Sequence, residues 1–509
     1  MKTKLSLFIV LMLILSVFAT ASAEGQIAKQ IVIGRNEDAY DLDAVTLNEN
    51  TDIVSLKLFL EGLVQVSDDG KSILPCLADS WDISEDRLSY TFHLKPGIKF
   101  SDGSLVTTED WIWSLNRAKN KESMWSFTLE ALENVTAPDD NTLVLKLSGS
   151  WAPLLADLAM FNATVQKKAL FESMSHEEYS HNVIGTGAYR LKEWKFGEYM
   201  LFEKNPYYRK EGLPKTEEIK FVVIPEDTTR LLQLKSGQID VATSVPFNKM
   251  KELNDDPRLV AYGVPSLQVR FLILNHLKKP LDNLKVRLAL DYAINKQELV
   301  DYILFGYGEV AASMLIPSEA FFNHDIKDRG YHPDKAKALL AEAGYPNGIE
   351  FQFNTTSGIT EVEQMVVILK EQLKESGITL NILTLEKGLD SALLKAGNFE
   401  LETRYWYSDI IDPSELCEYA FIPEMGRCLE TSWESTDRAI ELVEQGKREM
   451  DPAKRKQIYL ELQKIYYDNV PLIPVFYLPF RVAMDKNIEG FVETPLGVYK
   501  FENLVKHLK

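Results

Sequence analysis

Hydrophobic spacing along the chain switches repeatedly between a period of two and a period near three and a half. Leu88, Tyr90, Phe92 and Leu94 alternate with polar residues, as in a half-buried strand, and Lys95-Pro96-Gly97 supplies the turn that ends it. Residues 142–147, 219–224, 271–274, 349–353 and 475–478 are further extended stretches, and 30–34 opens the series. Between them lie helical segments with legible starts. Thr107 is placed to cap a helix carrying Trp111, Ile112 and Leu115. Asp282 is placed to cap a helix through Val286, Leu290 and Ala293, and Asn295 with Glu298, and Thr360 with Glu363, have the spacing of capping boxes. Asp451-Pro452 combines an N-cap with proline in the first turn of a helix through Ile458, Leu462 and Tyr466. Strands and helices mixed throughout, without tandem repeats, predict an α/β protein of several lobes.

The first 23 residues, MKTKLSLFIVLMLILSVFATASA, break this pattern. Lys2 and Lys4 precede an apolar run that closes on Ala21-Ser22-Ala23, the layout of a secretory signal peptide cleaved after Ala23. The alternative, a membrane anchor, is disfavoured by the shortness of the apolar run. The expected product is a soluble exported protein.

Composition narrows the function. Of 509 residues, 75 are acidic and 56 basic, for a formal net charge of −19, and no basic run suits a nucleic-acid backbone. The seven histidines are dispersed, with no H-E-x-x-H pair, so neither a metal site nor a cofactor is expected. There is no G-x-S-x-G elbow and no Walker lysine, and Asp409, Asp412 and Glu415 lack the glycine and spacing of an EF-hand loop. The expectation is a protein that is not an enzyme; an exported hydrolase with paired carboxylates is the disfavoured alternative. Cys417 and Cys428 enclose ten residues. In an oxidising compartment they can form a disulfide that stabilises by roughly 2–3 kcal/mol, the alternative being two reduced buried thiols.

Several segments in order resemble one family. They are LFLEGL (58–63), LADSW (77–81), LSYTFHLKPGIKFSDGSLVTTEDW (88–111), IGTGAYRL (184–191), PEDTTRLLQLKSGQIDVA (225–242), KVRLALDYAINKQELV (285–300), YHPDKAKALLAEAGYP (331–346) and KRKQIYLELQKIYYDNVPLIPVF (454–476). Together they resemble the extracytoplasmic solute-binding proteins of the oligopeptide, dipeptide and nickel class, family 5, which feed ABC importers. The resemblance implies the two-lobed periplasmic binding protein fold (type II, cluster C) with an extra inserted subdomain. Lobe I would comprise 24–57, 182–266 and 480–509, the inserted subdomain 58–181, and lobe II 267–479. It implies a monomer that captures a peptide between closing lobes and delivers it to an inner-membrane ABC permease complex. An oligosaccharide, an opine-like compound or a nickel chelate is the alternative cargo on the same fold.

The resemblance also points to ligand-binding residues. Peptide-binding members carry a W-x-x-D element whose Asp accepts the peptide ammonium, and Trp406 and Asp409 match it, with Tyr405 where the family usually has Gly. From the residues alone, Asp409 reads first as a turn or cap aspartate before Asp412-Pro413, and Trp406, Tyr405 and Tyr407 as core aromatics. Arg270, on the second crossing between lobes, can meet a ligand carboxylate or join a surface ion pair. Dipeptide-specific relatives place an Arg after the strand at 349–353, where this chain has Asn354-Thr355-Thr356-Ser357. The loop 36–43 and Ser101-Asp102 are weaker candidates.

Overall fold

The computed structural model describes residues 26–47, 49–423 and 431–508. Three sheets organise them. A seven-stranded sheet runs in the order Leu259–Val264, Phe480–Asp485, Val241–Thr243, Gln30–Arg35, Glu218–Val223, Tyr199–Lys204, Tyr189–Lys195. Its centre is parallel, with Ile31 beside Ile219 and Ile33 beside both Phe221 and Val241, and both isoleucines are buried. A four-stranded antiparallel sheet, Ala78–Ile83, Ser89–Leu94, Thr142–Leu147, Leu132–Asp139, has its own core with Tyr90, Phe92, Trp111 and Leu145. The period-two pattern at 88–94 thus buries one face, on which Tyr90, Phe92 and Leu94 lie.

A six-stranded sheet holds the second lobe. Its order is Glu309–Val310, Leu472–Tyr477, Gln268–Leu274, Leu401–Tyr407, Ile349–Thr356, Ile378–Leu385. Phe271, Phe353, Leu369 and Tyr459 lie in its core. Only two short crossings in these strands join the seven-stranded to the six-stranded sheet: Pro265-Ser266-Leu267 and Leu478-Pro479. They run together, because the Ser266 hydroxyl donates to the carbonyl of Leu478.

Local capping explains several helix starts. Thr107 Oγ1 accepts from the Asp110 amide while Asp110 accepts from the Thr107 amide, starting Thr108–Ala118. Asp451 accepts from the amides of Ala453 and Lys454 at the start of Pro452–Asn469. Three expected caps differ. The helix after Asp282 begins one residue later, with Asn283 accepting from the Lys285 amide. Asn295 caps Lys296–Ile303 without reciprocation, since Glu298 accepts from the Gln372 side chain instead. Glu363 accepts from the Gly358 amide, so Thr360 lies inside the helix Thr360–Glu375 and Ile359 is its cap. Gly185 marks a close approach of two chain segments: a Cβ there would overlap the Phe59 carbonyl.

Residues 1–25, with the expected cleavage site, and Cys428 lie outside the described residues. Among the described residues Cys417 has no disulfide partner; its thiol is buried, and burial pushes its pKa up. Among the described residues no helix is long and apolar enough to cross a membrane.

Candidate functional site: an interlobe cleft

Antiparallel pairing decides which side chains face the cleft. Gln268 lies opposite Tyr407, and Arg270 opposite Tyr405, so these four share one face; Val269 and Trp406 share the other. The first face meets lobe I across two cavities of about 210 and 190 Å³, and a third of about 110 Å³ adjoins them. Tyr407 and Gln268 border the first with Arg35, Arg481 and Glu493. Tyr405, Gln268 and Arg270 border the second with Glu361 and Arg481. Asp409 borders the third with Lys57, Glu61, Lys500 and Glu502. Ile53, Leu496 and Tyr499 line both the first and the third, and Asn50, Gln268 and Arg481 both the first and the second, so the cavities adjoin.

The sequence-derived candidates therefore divide. Asp409, Tyr407, Tyr405 and Arg270 reach the cleft. Trp406 faces away from it: its ring lies 5.0 Å from Tyr419, and its indole N–H donates to Ser408 Oγ at 3.1 Å. Tyr419 is 6.0 Å from Phe127 of the first half of the chain, so Trp406 stands behind a contact across the lobes. Arg270 makes no ion pair or hydrogen bond among the described residues; its guanidinium sits 5.3 Å from the Tyr405 ring centre. Of the weaker candidates, Asn36 lines the central cavity, whereas Asp102 is engaged by Lys167 and Ser104.

Asp409 follows the strand Leu401–Tyr407 and precedes the helix Ser414–Phe421. Its amide donates to Glu415 Oε2 at 3.0 Å. Burial raises the pKa of both carboxyls above the carboxylate range, and for Glu415 the neighbouring Asp409 charge adds to it. No cation forms an ion pair with Asp409 among the described residues. Asp412 is different. It accepts from the Ser414 amide and from both terminal nitrogens of Arg455, at 2.5 and 2.8 Å, and although burial opposes ionisation its pKa ends lowered. It anchors the turn that presents Asp409.

Sequence reasoning gave no ligand-site role to three carboxyl groups in or behind the cleft wall, of which Glu493 lines a cavity. Glu415 is nearly fully buried behind Asp409. Glu319 accepts from the Ile316 amide and the Ser408 hydroxyl, and burial pushes it up to about 7. Glu493 has no hydrogen bond or ion pair among the described residues; burial pushes it up to about 8 while nearby Arg481 pulls it down. They come from segments distant in sequence, and no local motif marks them.

Glu319 implies a stability profile. Its ordinary value is 4.5 and its folded value about 7, so between those values the folded chain retains a proton that the unfolded chain has released. This contribution is present in full below about pH 4.5 and disappears as pH rises through about 7. Urea midpoints of the ligand-free protein are expected to fall between pH 5 and pH 8, and Glu319→Gln is expected to flatten that slope. An unchanged slope in the variant would rule out this role.

Residues 72–424 match the family described as bacterial extracellular solute-binding proteins, family 5 Middle. The chain belongs to this family. The family 5 protein is 28% identical over 485 residues to the glutathione-binding protein GsiB of Pectobacterium atrosepticum, covering 94% of each chain. It also superposes on the Helicobacter pylori periplasmic binding protein DppA in complex with peptide STSA, with a TM-score of 0.83, 26% identity, and coverage of 95% of this chain and 99% of that one. The fold matches CtaP of Listeria monocytogenes as well, at a TM-score of 0.85 and 22% identity over 94% of this chain and all of that one. These relatives are binding proteins, and the two-lobed architecture is theirs too.

Proposed function

We propose that this family 5 protein captures short peptides in the interlobe cleft and passes them unchanged to an inner-membrane ABC permease, as a periplasmic monomer released by cleavage after Ala23. The lobes would divide at the boundaries expected from the sequence. The observation that carries the reading is Asp409: a carboxyl on the wall of the cleft, raised by burial, with no cation paired to it among the described residues. A peptide ammonium supplies the missing charge, and it is the group common to all free peptides. Tyr405 and Tyr407 would contact the cargo along the same strand face, and Trp406 would support them from behind. The peptide-bound relative and the glutathione-binding relative favour this cargo over a sugar or a metal chelate.

Binding then carries a pH signature. Because burial raises Asp409 above its ordinary 3.8, part of the empty protein is protonated there, and an ammonium binds the ionised form. Affinity is expected to increase as pH rises above the ordinary carboxylate range, with proton release on binding. Calorimetry in buffers of different ionisation enthalpy reads that release; proton uptake would contradict the assignment. The direct test of cargo is mass spectrometry of material released on denaturing the purified protein. Peptides are the expected result, and a sugar or metal chelate would overturn the reading.

A further inference from the structure

Apart from the cavities and the two crossings, the lobes meet at a separate contact built on the four-stranded sheet. Trp151 follows that sheet, belongs to its core and is 3% exposed. The indole N–H donates to Asp157 at 2.7 Å, which fixes the ring. The next residue reaches the other lobe: the Ala152 amide donates to the carbonyl of Lys447 at 2.7 Å. Lys447 is in the last turn of Asp437–Arg448, and its ammonium lies 5.3 Å from the Trp151 ring centre. A second contact joins the same two bodies. Phe127, in Ser126–Leu129, meets Tyr419 edge to face at 6.0 Å. Neither Phe127, Trp151, Tyr419 nor Lys447 lines a cleft cavity, so the protein makes these contacts by itself.

One short helix connects this contact with the Asp409 turn. Ser414–Phe421 carries Glu415, Glu418 and Tyr419 at relative positions that share a face. Glu415 accepts from the Asp409 amide, Glu418 accepts from the Lys447 ammonium at 3.1 Å, and Tyr419 touches both Phe127 and Trp406. We propose that the body built on the four-stranded sheet is a clasp: it grips the second lobe through Trp151, Ala152 and Phe127 and favours the closed form with or without cargo. Contacts made only when the lobes are together bias the closing equilibrium by their own free energy, whatever occupies the cavities. Cargo supplies the remainder, and its release requires the clasp to part. Through Ser414–Phe421, parting of the clasp also loosens the support of Asp409. The proposal rests on the reading that cargo is enclosed between the lobes, and not on the chemistry of that cargo.

Two measurements on the full protein test it. Small-angle scattering of the ligand-stripped protein reads closure. Stopped-flow fluorescence with the peptide STSA, which the Helicobacter pylori relative holds, reads capture and release. The double variant Phe127→Ala with Lys447→Gln is expected to show a larger radius of gyration than the parent when empty. It is expected to release STSA about tenfold faster, with capture no slower. Phe127→Ala alone, at a half-buried position, is expected to show the same changes in smaller measure, which guards against misfolding of the double variant. Glu444→Gln removes the other ion-pair partner of Lys447, on its own helix, and is expected to match the parent. Unchanged scattering in the double variant, or a Glu444→Gln effect as large as that variant's, would overturn the clasp. An empty parent already as open as the double variant would overturn it too. Failure of STSA to bind any form would count against the peptide reading alone, because scattering of the empty protein still decides the clasp.

Discussion

Asp409→Asn is expected to weaken binding of a free-amine peptide by about 2–5 kcal/mol, or roughly 30- to 5,000-fold. The substitution keeps the shape of the side chain and removes its charge. A peptide ammonium would then be enclosed opposite a neutral amide, and Glu415 behind it, whose pKa burial and the Asp409 charge raise well above the usual range, is poorly placed to replace the lost carboxylate. The N-acetylated form of the same peptide is expected to bind the native protein poorly and to be nearly indifferent to the substitution. Glu493→Gln is the necessary comparison, because Glu493 is also a cleft-wall carboxyl without an ion pair among the described residues. A larger loss in that variant than in Asp409→Asn would move the amine anchor to Glu493. Equal affinity of native protein for free and acetylated peptides would eliminate a carboxylate anchor altogether.

Arg455→Ala is expected to destabilise the second lobe by about 3–5 kcal/mol. The guanidinium donates twice to Asp412 and also to the Gly446 carbonyl and the Tyr459 hydroxyl, all within a closely packed region. Its removal leaves Asp412 enclosed with the Ser414 amide and side chain as its remaining donors among the described residues. The loss exceeds the value of the pair itself, because the orphaned carboxylate must be protonated or hydrated. Urea denaturation followed by tryptophan fluorescence measures it. Replacing both partners, Asp412→Asn with Arg455→Met, is expected to recover a large part of the loss. A single variant as stable as the parent would mean that water already reaches this pair.

Local signals proved readable where neighbouring residues decide the outcome. Thr107 and Asp451 cap their helices because the partner amides lie two or three positions away. At Thr360 the same logic misleads: Glu363 has the right spacing, but the tight turn at Gly358 offers it a different amide. Period-two patterns located the strands, yet the order of strands depends on crossovers such as the placement of Phe480–Asp485 between Val241–Thr243 and Leu259–Val264, which no short window contains. The site divides along the same line. Tyr405, Tyr407 and Asp409 sit on one contiguous stretch, and the W-x-x-D resemblance drew attention to it. Strand alternation alone would have turned Trp406 away from its two tyrosine neighbours. Arg481, Glu361 and Glu493 are brought to the cleft by three separate segments, so their proximity is a property of the folded chain only.

The two crossings between lobes are tied to each other by the Ser266 hydroxyl on the Leu478 carbonyl, and each carries a proline. Paired in this way they act as one axle, and torsion in either strand alone is restrained. A hinge motion of the lobes would therefore bend both crossings together. On the proposed function, a permease bearing on either rim would act on the cargo through this shared seam.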